Sequence, residues 1–328
     1  MVQPNFKTFF HLLFFATCVV ACSDDDSGVE RPDVNIAGFV NASTDLSTLA
    51  AALERTNLME SLEGTGFFTL LAPSNVAFEE FLDFNDFADI NEVPVAVLRE
   101  LLLNHVIAGE FQSNNLTGQV GYVRTFAEGP DDDSTLSMLI NGTGSILFNN
   151  SARISDGRGD NLLSNGTVHI VNAVVELPTL ATLLVENPGF SNLVEAATTA
   201  TPSEDFEALL SGPGPITVFA PANSAFEVLF SNSTEWNEVD DIDEDTLIAV
   251  LNHHLVSEEN ILADDIQNGQ QVATLEGDVL AFTLEGTNSI RITDGSGSSS
   301  TRVAVGNIQG TNGVFHVIDR VLIPNTDN

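Results

Sequence analysis

The chain has very little cysteine and lysine, and each scarcity excludes a class of protein. Its 328 residues contain two cysteines, Cys18 and Cys22, so an apolar core must hold the fold without a disulfide framework. Lys7 is the only lysine, and ten basic residues face 47 acidic ones, for a formal net charge of −37. Such a surface repels phosphate backbones and anionic headgroups, which excludes nucleic-acid binding.

A long apolar run is also missing. The run at residues 9–20 has about a dozen residues, too few to cross a bilayer as a helix but enough for the core of a signal peptide. It follows Lys7 and ends at Ala21-Cys22, which resembles the lipobox of bacterial lipoproteins. Residues 1–21 are therefore interpreted as a lipoprotein signal peptide, with Cys22 as the lipid attachment site. Ordinary cleavage near Ala21, with Cys22 incidental, is the alternative.

Residues 22–34 are acidic and poor in apolar side chains, which predicts a disordered tether. Acidic residues directly after the cysteine resemble the surface-export signals of lipoproteins from Bacteroidetes, and a plain acidic spacer is the alternative. The resemblance predicts an outer membrane lipoprotein of the cell envelope, exposed on a Bacteroidetes-like bacterium. Its contact with the membrane would be through the lipid anchor only.

The chain does contain a repeated stretch of about eleven residues. FTLLAPSNVAF at residues 68–78 recurs as ITVFAPANSAF at residues 216–226. In each copy a β-branched and aromatic run predicts a buried strand, and the proline ends it. Asn75 and Asn223, with Ser74 just before Asn75, are predicted to cap a following helix, because asparagine and serine are favoured N-cap residues. Each copy is thus a corner between a strand and a helix.

Two further motifs repeat in the same order. Residues 102–110 (LLNHVIAGE) match residues 250–258 (VLNHHLVSE), and residues 165–178 (NGTVHIVNAVVELP) match residues 312–324 (NGVFHVIDRVLIP). Matching identical letters pairs Asn104-His105 with Asn252-His253. It leaves His254 without a counterpart and predicts that His254 is exposed or has only a local role. Three ordered motifs at nearly constant spacing predict two copies of one domain.

Together these motifs resemble the fasciclin (FAS1) domain, present twice in tandem. The resemblance implies an α+β fold in which each domain is a wedge of two β-sheets with packed helices. It places the domains at residues 35–178 and 179–326, and the near absence of a linker predicts a rigid pair. It also implies a role in adhesion or matrix interaction without catalysis.

Within each domain the pattern predicts the order of elements. A helix is expected from Pro94 to His105, followed by a hairpin with its turn at residues 141–144. The closing strands are predicted at Val168–Val175 and Val314–Ile323.

Four histidines are candidate metal ligands, because they occur as apparent pairs in the two copies: His105, His253, His169 and His316. No zinc-type spacing accompanies them. The favoured interpretation is a buried histidine bonded to backbone groups, and the sequence predicts no metal site and no cofactor.

Candidate binding residues come from a short tripeptide and from the resemblance. Arg158, Gly159 and Asp160 spell a tripeptide known for integrin recognition, in a glycine-rich loop. In animal fasciclin domains a Tyr-His step is associated with integrin contact. Here the matching positions are Asn104-His105 and Asn252-His253, with asparagine in place of the tyrosine, so they are binding candidates that depart from the integrin-contacting pattern.

The acidic stretches at residues 131–133 and 240–245 are candidate Ca²⁺ ligands, but neither has the glycine and spacing of an EF-hand. Solvated acidic loops are the favoured interpretation. The net charge indicates a saline habitat, in which salt screens self-repulsion, or recruitment of cations.

The sequence contains no nucleophile elbow and no phosphate-binding loop, so no catalytic residue is assigned and the protein is predicted not to be an enzyme. The predicted function is a surface-anchored, non-enzymatic adhesion protein whose partner is extracellular matrix, glycan or a cell-surface protein. The alternative is a ligand-binding module for a small apolar molecule or polysaccharide. A third class is a structural spacer.

Overall fold

The computed structural model describes residues 31–64, 66–131, 134–286 and 289–325. Within these ranges the chain forms two successive α+β units, each a curled sheet with helices packed on it. Cys22, the signal peptide and residues 22–30 of the tether lie outside the described residues, as do Asp132 and Asp133. None of the described helices combines the length and the apolarity needed to cross a bilayer.

The first unit contains five helices and eight strands in its described residues. The helices are α1 (Ile36–Ala42), α2 (Ser47–Arg55), α3 (Asn75–Phe84), α4 (Val95–Asn104) and α5 (Ser113–Leu116). The strands are β1 (Phe68–Pro73), β2 (Val106–Ala108), β3 (Val120–Glu128), β4 (Thr135–Asn141), β5 (Leu147–Phe148), β6 (Ala152–Arg153), β7 (Asn161–Leu163) and β8 (Gly166–Val171). Their order in the sheet is β6-β5-β4-β3-β2-β1-β8-β7.

The second unit repeats this plan. Its helices are α6 (Leu180–Val185), α7 (Ser191–Ala197), α8 (Phe206–Ser211), α9 (Asn223–Asn232) and α10 (Glu244–His253). Its strands are β9 (Ile216–Pro221), β10 (Leu255–Ser257), β11 (Gln271–Ala273), β12 (Val279–Glu285), β13 (Ser289–Thr293), β14 (Thr301–Gly310) and β15 (Gly313–Ile318). The sheet order is β10-β9-β15-β14-β13-β12-β11.

The repeated corner has the predicted form in both units. β1 and β9 end at Pro73 and Pro221 and pair in parallel with β8 and β15, the strands of the closing motif. Leu70 and Leu71, adjacent on β1, enter two different apolar clusters on the two faces of the sheet. Both faces are therefore covered, which explains why the strand is a continuous apolar run and not an alternating one.

The predicted role of Asn75 and Asn223 is wrong. Each is the first residue of its own helix, and the N-cap positions belong to Ser74 and Ala222. The Asn75 side chain instead accepts a hydrogen bond from the backbone N–H of Thr48, in the first turn of α2. Asn223 does the same for Asn192 in α7. These asparagines therefore cap a neighbouring helix and tie it to the corner.

The closing strands are shorter than predicted, because β8 ends at Val171 and β15 at Ile318. The residues beyond them stay apolar for another reason. Val175 and Leu322 are fully buried, and their backbone N–H groups bind histidine side chains in place of a neighbouring strand. The apolar run is therefore longer than the strand, and its length overestimates where the strand ends.

The two units differ most in the strand before the closing one. In the second unit β14 is continuous and joins the two halves of the curled sheet. In the first unit its counterpart is divided into β6 and β7 by the loop at residues 154–160. There β3 joins the two halves by pairing with both β2 and β4.

Candidate functional site

The asparagines at the start of the two closing motifs form hydrogen bonds with backbone groups inside each unit. The Asn165 side chain accepts from the Ile36 backbone N–H (2.9 Å) and donates to the carbonyls of Leu62 and Gly64. Asn312 makes the same three kinds of contact in the second unit, with Leu180 as the donor. Each asparagine thus joins the first helix of its unit, the segment just before the corner strand and the start of the closing strand, which is a structural task.

The shared histidines are also structural. His169 accepts a hydrogen bond at Nδ1 from the Asp160 backbone N–H and so donates from Nε2 to the Phe111 carbonyl. His316 repeats the pattern with Asn307 and Ile261. Burial lowers the pKa of both rings, that of His316 to about 4. Both imidazoles are therefore neutral near pH 7, and both nitrogens are already occupied.

His105 and His254 form the other equivalent pair, which corrects the predicted alignment. Nε2 of each accepts from a backbone N–H, Val175 for His105 and Leu322 for His254. Each donates from Nδ1 to the carbonyl four residues earlier in its helix. Burial lowers both pKa values to about 4.

The prediction that His254 is exposed is therefore wrong, since only 2% of its surface is accessible. The register of the strands shows the cause. Leu70 faces Val106 in the first unit, and Val218 faces Leu255 in the second, so His105 corresponds to His254. One residue is inserted before this point in the second unit, and matching the letters Asn-His concealed it. Asn252, the residue before His253 in α10, is half-buried.

Asn104 and His253 consequently occupy equivalent buried positions. The Asn104 amide donates to the carbonyls of Val175 and Glu176. His253 accepts at Nε2 from the Gly295 backbone N–H at 3.1 Å. Both candidate residues are fully buried, so neither can contact a partner directly while the fold is intact.

A cluster of possible metal ligands surrounds His253, and the sequence reasoning missed it. His253, Glu276 and Asp278 each offer a ligand atom within 4.8 Å of the others. However, Nε2 accepts from Gly295, so the neutral ring carries its proton on Nδ1. That proton is directed at the Thr274 hydroxyl, 3.2 Å away, and Glu276 lies 3.6 Å away. The ring therefore presents no free lone pair to a metal, and the group fits a structural hydrogen-bond network better than a metal site.

The Arg158-Gly159-Asp160 tripeptide is also engaged within the chain. The Arg158 guanidinium pairs with Asp45, and both carboxylate oxygens of Asp160 accept from Ser113, one from its backbone N–H and one from its hydroxyl. A Cβ at Gly159 would come within 2.9 Å of the Ile154 side chain. Arg158 and Asp160 are thus exposed, but their charged groups are already paired with Asp45 and Ser113.

The acidic stretches have local partners. Asp243 caps α10 through the Thr246 backbone N–H, and Asp241 accepts from the backbone of Asn237 and Glu238, which lowers its pKa. Asp131 accepts a hydrogen bond from Asn260 of the second unit. Asp241 and Asp243 therefore act as turn and helix caps, whereas Asp131 links the two units.

The two units meet at an interface built around the single tyrosine. The Tyr122 ring packs edge-on against Phe315, with ring centroids 5.5 Å apart. Its hydroxyl donates to the Leu183 carbonyl at 2.7 Å and accepts from the Asn187 amide at 2.8 Å. Burial raises the pKa of Tyr122. A side chain of the first unit thus completes the core of the second.

Two further contacts extend this interface. Leu139 of β4 is fully buried in the apolar cluster of the second unit. Ser137 accepts a hydrogen bond from the backbone N–H of Gln309 on β14 at 3.0 Å. These buried contacts and the short linker support the expectation of a rigid pair, which stays a prediction.

The described residues include two concave sites of different character. One is an apolar pocket in the second unit, lined by Leu184, Phe206 and Leu251 among others, with a volume of about 40 Å³. An engineered cavity that binds benzene has about 150 Å³, so this pocket is too small for an organic ligand of that size. The other lies at the junction of the two units and has about 460 Å³, within the range of ligand pockets.

We call this second site the junction groove. It is formed by α3, the turn at residues 149–151, the segment at residues 173–177 and Thr182 of α6. Phe81 and Phe84 of α3 line it, and 82% of Phe84 is exposed. Glu80 and Glu176 are its charged lining residues. No motif signals the groove, because it forms where the two units meet.

Comparison with known proteins agrees with this architecture. A sequence profile of the Fasciclin domain matches residues 44–178 and 188–324. The chain is 24% identical over 292 residues to a Fasciclin-like arabinogalactan protein of Phaeosphaeria nodorum, covering 85% of each chain. It is 27% identical to human periostin over 274 residues, which are 83% of this chain and 30% of periostin.

The fold also matches a solved structure. A FAS1 domain pair from the insect cell adhesion molecule Fasciclin I superposes with a TM-score of 0.52 at 18% identity, over 85% of this chain and 97% of that one. The two matches to the profile follow one another and together cover most of the sequence. The chain therefore belongs to the fasciclin family and carries two FAS1 domains in tandem.

Proposed function

We propose that this protein is a surface-anchored, non-enzymatic adhesion protein that joins the producing cell to extracellular matrix, glycan or another cell-surface protein. Fasciclin domains occur in the cell adhesion molecule Fasciclin I, and the chain is similar to fasciclin-like arabinogalactan proteins. The observation that carries the proposal is the use of the shared polar residues. Asn165, His105, His169 and their counterparts all bind backbone groups inside the fold.

Because the shared asparagines and histidines hold the fold together, we expect surface residues to bind the partner. No nucleophile with an adjacent base lines either concave site in the described residues. The two domains share a buried interface and so form one stiff body. A stiff body on a short tether is suited to transmitting a pulling force between a membrane and a partner.

The anchor of this proposal is a lipid on Cys22, which would place the protein in the outer membrane with its domains facing outward, as in Bacteroidetes-type surface lipoproteins. The motivation is the apolar run that ends at Ala21-Cys22 and the acidic residues after it. Intact-mass spectrometry of the membrane-extracted protein tests the lipid. The expected mass is that of the chain from Cys22 plus its acyl groups, and Cys22→Ser releases the protein from the membrane. An unmodified Cys22 would rule out this anchor.

Adhesion is tested with beads coated with the purified protein. Beads carrying the folded protein are expected to attach to a matrix-coated surface, whereas beads carrying the heat-unfolded protein at the same coating density are not. Equal attachment of both beads would mean that contact is nonspecific, and attachment of neither would count against adhesion to that matrix.

A further inference from the structure

The junction groove has features that the fold does not require, and the duplicated domain shows this directly. The helix α9 occupies in the second domain the place of α3 in the first. At the positions of Glu80, Phe81 and Phe84, α9 carries Val228, Leu229 and Asn232. The second domain thus forms the same corner without this glutamate and without these two phenylalanines. Their presence in the first domain calls for another explanation.

The exposed aromatic surface of α3 is the first part of that explanation. Phe84 is 82% exposed and Phe81 is partly buried against the core. The two are three residues apart on one helix and so lie on the same face. An exposed phenylalanine at a groove wall is the type of residue that anchors a partner in protein interfaces.

The charges of the groove are the second part. Glu80 and Glu176 both line it, and no lysine or arginine does. Neither carboxylate has a hydrogen-bond or ion-pair partner in the described part of the chain. Carboxylates beside aromatic faces form a favourable site for a guanidinium or an ammonium group, which the ring quadrupole also attracts.

The cation must come from elsewhere, because this chain has few to offer. Ten basic residues include the single Lys7, so nine arginines remain. Five of these already bind carboxylates or backbone carbonyls of the chain, namely Arg31, Arg55, Arg99, Arg158 and Arg291. Charge complementarity therefore favours a different, basic partner over a second copy of this chain.

We propose that the junction groove binds a basic segment of a partner protein, with arginine or lysine heads against Glu80 and Glu176 and apolar parts on Phe81 and Phe84. This inference rests on the proposed adhesive function and assigns it a surface and a partner chemistry. Thr182 of the second domain also lines the groove, so docking of the two domains completes its wall.

The test uses the purified full chain and a fluorescein-labelled synthetic peptide of alternating arginine and leucine. Its dissociation constant is measured by fluorescence anisotropy at physiological ionic strength, where the Debye length is about 8 Å and diffuse attraction to the acidic surface is screened. The variant Phe84→Ala/Glu176→Gln is expected to bind about tenfold more weakly, from the loss of one cation–π contact and one ion pair.

The control variant removes one exposed apolar side chain and one exposed carboxylate outside the groove. Val76 is exposed on α3 but does not line the groove, and Glu227 is exposed on α9. The variant Val76→Ala/Glu227→Gln is expected to change the dissociation constant by less than about twofold. A second control peptide carries citrulline in place of arginine, and its binding is expected to be lost.

Four results would overturn the proposal: equal weakening in both variants, equal binding of the citrulline peptide, no binding of the arginine peptide, or self-association that the groove variant removes. The bead assay on the same variants keeps this result separate from the proposed function. If the groove variant still supports bead attachment while the peptide does not bind, adhesion stands and the groove assignment falls.

Discussion

At the scale of single residues, the buried histidines carry the clearest consequence. His105, His254 and His316 have pKa values lowered to about 4 by burial, against 6.5 for an exposed ring. Each is neutral in the folded protein because one ring nitrogen must accept a backbone N–H. A protonated ring would lose that acceptor and place a charge inside the core.

The sign of the pH dependence follows from this. Between pH 6.5 and about 4 the unfolded chain binds protons at these histidines and the folded chain does not, so folding stability falls as the pH falls through that window. The expected loss is up to about 1.4 kcal/mol per pH unit for each ring. The wild type alone does not isolate the effect of the histidines, because other groups of the protein add their own pH dependence.

The comparison with His105→Leu does isolate it. This variant keeps the carboxylates, so the difference in unfolding free energy between wild type and variant is expected to shrink as the pH is lowered from 7 to 4.5. At pH 7 the variant is expected to be less stable by about 1–3 kcal/mol, because the Val175 N–H loses its partner. Urea titrations at several pH values measure both. A constant difference across the range would contradict the neutral-ring account.

Asn165 supports a second prediction at this scale. Its amide makes three hydrogen bonds, one to the first residue of α1 and two to the carbonyls of Leu62 and Gly64 before β1. Asn165→Ala leaves those groups unpaired, so a loss of about 2–4 kcal/mol of unfolding free energy is expected. The exposed Asn232→Ala is the control and is expected to stay within about 0.5 kcal/mol. Similar small losses in both would show that Asn165 is not a structural tie.

Residue types alone predicted that the four paired histidines are buried and structural, and the hydrogen bonds agree, but His254 was wrongly predicted to be exposed. They did not predict which histidines correspond. The letters Asn-His occur in both copies, but the inserted residue moves the equivalent position to His254. The His253, Glu276 and Asp278 cluster was missed because its members meet only through the fold.

At the scale of elements, the entry into the closing strand depends on glycine. Gly166 and Gly313 both have φ of +150°, and a Cβ at either would lie 2.0 Å from a carbonyl oxygen, that of Phe68 or of Ile216. The closing strand therefore approaches the corner strand too closely for any side chain. This explains in physical terms why both copies of the motif begin with Asn-Gly.

Gly313→Ala is expected to destabilise the protein by more than about 3 kcal/mol or to prevent folding, because both the backbone angle and the contact are unfavourable. Gly144→Ala is the matched control, since nothing lies within 4 Å of its Cβ position. It is expected to be neutral within about 0.5 kcal/mol. Thermal unfolding followed by circular dichroism distinguishes them, and equal melting temperatures would refute the close-packing argument.

The order of strands and helices in each domain could be predicted from apolar patterns and prolines, and α4 begins after Pro94 as expected. The ends of the closing strands could not. Val175 and Leu322 are apolar because they pack in the core while their N–H groups bind histidines. The role of Asn75 could not be predicted from the sequence either, because its partner Thr48 lies on a different helix.

At the scale of the whole molecule, the repeat predicted two domains but not how they join. Tyr122 and Leu139 complete the core of the second domain from outside it. Neither belongs to a repeated motif, so no pattern marks them. The two domains are therefore expected to unfold together.

Calorimetry tests this coupling. The wild type is expected to show a single transition. Tyr122→Phe keeps the ring packing but loses the hydrogen bonds to Leu183 and Asn187. Its free energy of unfolding is expected to fall by about 1 kcal/mol. Tyr122→Ala is expected to separate the transition into two. Two transitions already in the wild type would mean that the domains are independent.

The central claim, that the fold is a scaffold whose surface attaches the cell to its surroundings, is tested most directly in the producing organism. Attachment to a matrix-coated surface is measured for a strain lacking the gene and for the same strain complemented with the wild type or with Cys22→Ser. The account predicts that attachment falls on deletion, returns with the wild type and does not return with Cys22→Ser. Unchanged attachment after deletion would contradict it.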